Sequence, residues 1–139
     1  MKNSGKMLLI LIPVALVVVG GVAFVLLRGR HHSKPPEKEY ALALNELTVN
    51  LADKDRPHHL GASVTLQIKG LDPEKSAPEC EAQIRDAVLM VMSQHKYDEL
   101  LSTEGKQGLK DAIAIAVSKV IANHKLRVAD VLFTAFLMD

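Results

Sequence analysis

The chain reads as an α+β protein. A single N-terminal transmembrane helix comes first, then a small antiparallel sheet covered by two helices in the order β-β-α-α-β. Three observations carry that prediction. One uninterrupted apolar run has membrane-crossing length. Two segments alternate apolar and polar residues with the period of a strand, and two later segments repeat apolar residues at the 3.6-residue spacing of a helix. At 139 residues there is room for one modest folded domain beside the span.

The apolar run is "MLLILIPVALVVVGGVAFVLL", Met7 to Leu27. It comprises Met7, the leucines Leu8, Leu9, Leu11, Leu16, Leu26 and Leu27, the isoleucines Ile10 and Ile12, and the valines Val14, Val17, Val18, Val19, Val22 and Val25. Ala15, Ala23 and Phe24 complete the apolar set, with Pro13, Gly20 and Gly21 interspersed. As a helix, 21 residues extend about 31 Å, enough for a hydrocarbon core of roughly 30 Å. A cleaved signal peptide has a shorter apolar region and a small-residue cleavage pattern, whereas Leu26-Leu27-Arg28-Gly29-Arg30 follows directly here. An uncleaved signal-anchor fits better. Pro13 is tolerated within a membrane span, and Gly20-Gly21 lacks the small-xxx-small spacing of a packed helix pair.

Charge is divided unevenly. Residues 1–39 hold six Lys/Arg and two Glu, net +4, and residues 40–139 hold eleven Lys/Arg and fourteen Asp/Glu, net −3. The basic segment "RGRHHSK", Arg28 to Lys34, flanks the span, so its position favours lipid head groups over nucleic acid. The rest is mildly acidic and poor in aromatics, which argues against nucleic-acid binding. Charge alone does not orient the span, because Arg28, Arg30 and Lys34 outnumber Lys2 and Lys6. Cys80 is the only cysteine, so no intrachain disulfide forms and the redox compartment is not readable. "HHSKPPEKE", His31 to Glu39, is a polar spacer stiffened by Pro35-Pro36.

Tyr40, Leu42 and Leu44 alternate in one phase, and Leu47, Val49 and Leu51 in the other. Such a phase change marks a bulge or bend near Asn45-Glu46. "ADKDRPHH", Ala52 to His59, supplies a turn. Leu60, Ala62, Val64, Leu66 and Ile68 then alternate with smaller or polar residues, the clearest strand in the chain. Asp72 is expected as an N-cap with Pro73 in the first turn, and Pro78 delays the regular helix to about Glu79. Cys80, Ile84, Ala87, Val88 and Val91 should face the sheet. A second helical series, Leu109, Ile113, Ala116, Val117, Val120 and Ile121, ends near Asn123. "RVADVLFTAFLMD" has apolar residues in both phases, the pattern of a strand covered on both sides or paired deeply in a sheet.

Between the helices lies "LSTEGKQGLK", Leu101 to Lys110, whose glycines and lysines invite a phosphate-binding reading. The P-loop needs a glycine five residues earlier and a hydroxyl after the lysine, but Leu100 and Gln107 occupy those positions. The segment therefore reads as a joint. Ser102 or Thr103 caps the second helix, and Gly105 lets the chain turn sharply after Leu101. Gly108, costly inside a helix, is explained by close packing against another backbone. Gly105 and Gly108 are accordingly the candidate oligomer contacts.

Nothing in the sequence assembles a reaction centre. His31-His32 falls in the spacer, His58-His59 in a turn, and His95 and His124 near helix ends, without the spacing of a metal site. The paired acids Asp53/Asp55, Asp98/Glu99 and Glu79/Glu81 read as solvated charges. Cys80 falls on an apolar stripe with Ile84 and Ala87, as a core thiol does. No cofactor, metal or small-molecule substrate is expected, and the chain reads as a membrane-held interaction domain and not an enzyme.

The order of its segments resembles the flagellar basal-body-associated FliL family. The resemblance runs from the basic leader, span and linker to "VADVLFTAFL", and is carried by Asn50-Leu51-Ala52-Asp53, Ile84-Arg85-Asp86, Leu101-Ser102-Thr103-Glu104-Gly105-Lys106 and Phe133-Thr134. It implies a single-pass inner-membrane protein of the flagellar basal body. Residues 1–6 would be cytoplasmic, 7–27 the span, 28–39 a linker, and 40–139 a periplasmic domain similar to the stomatin-like SPFH fold. The implied partners are flagellar stator subunits, other copies of the chain in a ring, and inner-membrane lipids. The implied role is support of torque and motility under load. A stomatin-like periplasmic scaffold without a motor role is the alternative.

Overall fold

Leu60, Ala62, Val64, Leu66 and Ile68 all turn to one side of their strand, and the fold is built on that side. The computed structural model describes residues 35–139. The expected span Met7–Leu27 and the basic flank lie outside the described residues. Among the described residues no helix is long and apolar enough to cross a membrane.

Strand β1 (Lys38–Asn50) and strand β2 (His59–Gly70) form an antiparallel pair, and strand β3 (Leu126–Met138) joins the other side of β2, giving the order β1-β2-β3. Between β2 and β3 the chain forms α1 (Pro73–Glu79), α2 (Glu81–Ser93), the single turn α3 (Tyr97–Leu100) and the long α4 (Thr103–Ile121). A 3-10 turn, Ala122–His124, follows, and Lys125 in a left-handed conformation (φ 55°) enters β3. The predicted α+β sheet-and-helix arrangement is present. It carries two short helices beyond the two expected. Pro78 lies inside α1, and the helical path breaks at Cys80 before α2. Pro73 occupies the first turn of α1, but the Asp72 carboxylate makes no cap bond; its carbonyl accepts from the Ser76 N–H instead.

The core is the inner face of the sheet against α2 and α4. Leu44, Leu60, Leu66 and Ile68 meet Ile84, Val88 and Met92 of α2 and Leu109, Ile113, Val117 and Ile121 of α4, all fully buried. Spacings of three and four residues place each helical set on one stripe. Cys80 is buried in the same core.

The phase change expected in β1 is a bulge. Leu44 faces Val64 and Leu47 faces Ala62, so Asn45 and Glu46 together oppose Ser63. Glu46 takes the left-handed conformation (φ 56°), which realigns Leu47 with the core. Arg85 of α2 donates from Nη1 to the Asn45 carbonyl at 3.0 Å and so ties the helix to the bulge. Arg85→Met should therefore lower stability by about 1 kcal/mol, read by urea denaturation. An unchanged midpoint would show that the bulge holds its shape unaided.

Strand β3 departs from expectation. It is an edge strand, not one covered on both faces or paired deeply in the sheet. Its apolar residues occupy both phases because two bulges reset the alternation, one at Ala129 and one at Thr134. Leu126, Val128, Val131, Phe133, Phe136 and Met138 consequently all oppose core-facing residues of β2. Leu132 and Leu137 fall on the outer face, 37% and 75% exposed.

Candidate functional site

The segment "LSTEGKQGLK" is a helix start. The Ser102 hydroxyl accepts from the Gly105 N–H at 2.9 Å and caps α4, as expected, and Glu104 lies in the first turn where the helix dipole favours an acid. Gly105 has a different reason from the one expected. No described glycine has positive φ. A Cβ on Gly105 would instead lie 1.7 Å from the Glu99 carbonyl oxygen and 2.7 Å from its carbon. The contact is internal to the chain. Gly108 is exposed, and a Cβ there would meet nothing within 4 Å, so close backbone packing within the subunit does not explain it.

The other segments that carried the family resemblance are mostly structural joints. The Asp53 carboxylate accepts the Tyr97 N–H at 2.9 Å and caps α3 from outside the helix, while the Ala52 N–H donates to the His95 carbonyl at 2.8 Å. His58 stacks on Tyr97 with ring centroids 4.3 Å apart, its Nδ1 3.5 Å from Asp53 Oδ2. These contacts clasp the β1–β2 turn to the start of α3. Thr134, the extra residue of its bulge, donates from Oγ1 to the Ser63 carbonyl at 3.2 Å. Ser63 Oγ accepts from the Glu46 N–H at 3.5 Å, so one residue of β2 touches the bulges on both neighbours.

Along β3, Lys110 Nζ lies 5.8 Å from the Phe133 ring centre and Lys106 Nζ 5.6 Å from that of Phe136, while the two rings meet edge to face. Two lysines one helical turn apart share a face of α4, a spacing visible in the sequence. The phenylalanines were not readable as a pair, because the bulge at Thr134 lies between them. Charges elsewhere are solvated. Lys38 is held above its ordinary pKa by its hydrogen bond to Glu74, and Arg127 likewise by Glu37. Such exposed pairs contribute little to stability.

The expected chemistry residues are scattered. His59 pairs with Asp139 at 3.3 Å, His95 Nδ1 lies 3.0 Å from the Val91 carbonyl, and His124 ends the 3-10 turn. Among the described residues no group of three His, Cys, Asp or Glu could hold a metal. His31 and His32 lie outside the described residues. Two shallow depressions flank the C-terminus. One, of about 380 Å³, is lined by Thr48, His59, Gly61, Leu137, Met138 and Asp139; the other, of about 280 Å³, by Arg56, Pro57, His58, Tyr97 and Asp139.

Fold and surface together define a class: a two-layer α+β domain whose three-stranded sheet is open at both edges, with its polar groups spent on caps and bulges. Residues 41–138 match the family described as Flagellar basal body-associated protein FliL, and the chain belongs to that family. It is 34% identical over 98 residues to the flagellar protein FliL of Escherichia coli strain K12, and equally to that of Shigella flexneri. Each match covers 69% of this chain and 62% of the relative. The flagellar protein FliL of Aquifex aeolicus strain VF5 is 26% identical over 106 residues, 76% of this chain and 65% of the relative. The chain thus spans somewhat under two thirds of these relatives' length. The family is described as flagellar basal body-associated, and the matched relatives are flagellar proteins by name.

Proposed function

We propose that this chain associates with the stator units of the flagellar motor as a ring of copies around them, and supports torque and motility under load. In this reading residues 1–6 are cytoplasmic, Met7–Leu27 anchors the chain in the inner membrane, 28–39 is the linker, and 40–139 is an SPFH-like periplasmic domain. The observation that carries the reading is the family match across 41–138. Exposed Gly108 on α4 is offered as part of a subunit contact.

The physical logic is multivalency. One weak contact per subunit becomes strong when many subunits surround one stator, because effective concentration replaces free diffusion. A ring that binds the open arrangement of a stator better than the closed one shifts the stator toward the open state.

Removing residues 40–139 while keeping the span should slow swimming markedly in viscous medium, and the intact chain should bring stator subunits down on purification. Unchanged motility under load, with no stator subunits recovered, would reject the motor role and leave a membrane scaffold.

A further inference from the structure

We propose that the free edges of β1 and β3 are two halves of one interface, joined head to tail between copies of this chain so that β3 of one copy runs parallel to β1 of the next. This rests on the ring reading above and names the surface that would build the ring.

In the order β1-β2-β3 each outer strand presents one row of backbone N–H and C=O groups without a strand partner among the described residues. Proteins commonly protect such edges with charges or proline. The second half of β3, Val131–Met138, has neither, and it adds Leu137 at 75% exposure. An edge of that character invites another strand.

The other edge of the same sheet is built to match. Ala43–Thr48 of β1 and Leu132–Leu137 of β3 flank the same stretch of β2, Thr65 to Gly61. Both are interrupted beside Ser63, by Asn45-Glu46 on one side and Thr134 on the other. A bulge normally spoils pairing with an unbulged strand; β1 and β3 are interrupted at the same level beside Ser63 and so stay in step over Ala43–Thr48 and Leu132–Leu137, past the bulge at Ala129 that β1 lacks. Side chains also complement each other. Leu132 and Ala43 share Thr65 as β2 partner, and Leu137 and Thr48 share Gly61, so a level pairing sets each protruding leucine of β3 beside a smaller residue of the next β1. Glu46 arrives level with Thr134, between the phenylalanines that carry Lys110 and Lys106.

Geometry then sets the direction. Neighbours in a many-membered ring differ by a small rotation, which preserves strand direction, so β1 and β3, both antiparallel to β2, meet parallel. Every copy's Lys38 then lies at the same end of the sheet, as anchors in one membrane require. A head-to-tail contact of this kind closes into a ring when the rotation between neighbours divides a full turn, and otherwise builds a filament.

The test is disulfide trapping in the full-length, membrane-inserted chain, with Ala43→Cys combined with Leu132→Cys, and separately Thr48→Cys with Leu137→Cys. Within one chain each pair straddles β2, about 9.6 Å apart, beyond disulfide reach. Mild oxidation should give a ladder of dimers, trimers and higher species, about tenfold above either single variant. The unsubstituted chain, with Cys80 buried, is the blank. Dimers from Leu132→Cys or Leu137→Cys alone would indicate β3-to-β3 pairing and overturn the inference. No ladder from either pair, in a chain that native mass measurement shows to be oligomeric, would place the contact elsewhere and leave the ring reading standing. A chain that is monomeric throughout would overturn both.

Discussion

Gly105→Ala lowers the stability of the domain by about 3 kcal/mol, against the ordinary preference of helices for alanine. Replacing a mid-helix glycine by alanine usually stabilises, by roughly 0.5–1 kcal/mol, because the unfolded chain loses freedom. At Gly105 the added methyl would lie 1.7 Å from the Glu99 carbonyl oxygen. The obstacle is backbone, so no side-chain rotation relieves it. Either α3 moves away from α4 or the Ser102 cap opens, since Ser102 Oγ is 3.1 Å from the same methyl. Gly108→Ala supplies the internal control, because it lies in the same helix with open space at its Cβ position. It should gain about 0.5–1 kcal/mol. Thermal or urea denaturation of both variants, made in the same chain, reads the difference. Equal effects at the two positions would reject the Glu99 contact as the reason for Gly105. Gly108→Ala has a second use: a stable but disassembled variant would tie the exposed glycine to a contact between subunits.

How legible the fold was depended on whether its cause was local. The alternation in β2 has one buried and one wet face, so the sequence shows it without ambiguity. The bulge in β1 is just as visible, because clean alternation on each side of Asn45-Glu46 exposes the change of phase. The bulges in β3 have the same physical effect and are hidden, since Leu132 and Leu137 put apolar residues on the outer face as well. Two resets then look like a strand buried on both sides. Helix α3 is invisible for another reason. Its four residues, Tyr97–Leu100, have no period of their own, and the carboxylate that caps them, Asp53, comes from 44 residues earlier. Gly105 is intermediate: glycine in a polar joint marks a special position, but a turn and a close approach leave the same letter. The segments that carried the family resemblance prove to be largely caps and bulge ties, and the Lys–Phe contacts along β3 need the bulge at Thr134 before they can be seen.

Leu66→Ala should unfold the domain more readily than any change on the opposite face of the same strand. Leu66 is fully buried in the central strand, registered with Leu42 on one side and Val131 on the other, beneath the helical layer. Truncating such a side chain loses transfer free energy and leaves a cavity that flanking strands cannot easily fill, at a cost of about 3 kcal/mol. For a domain of this size that corresponds to roughly 15 °C in Tm. Thr65, one residue away, points to the outer face and is only half-buried, and Thr65→Ala should cost about 0.5 kcal/mol. The ratio between the two is the informative quantity, because it measures how one-sided the sheet is. Denaturation of the isolated domain should preserve that ratio. If neighbouring copies extend the sheet as proposed, the outer-face position becomes sensitive as well, since Thr65 shares its level with Ala43 and Leu132. A Leu66→Ala variant no less stable than Thr65→Ala would contradict the assignment of the core to the helical face.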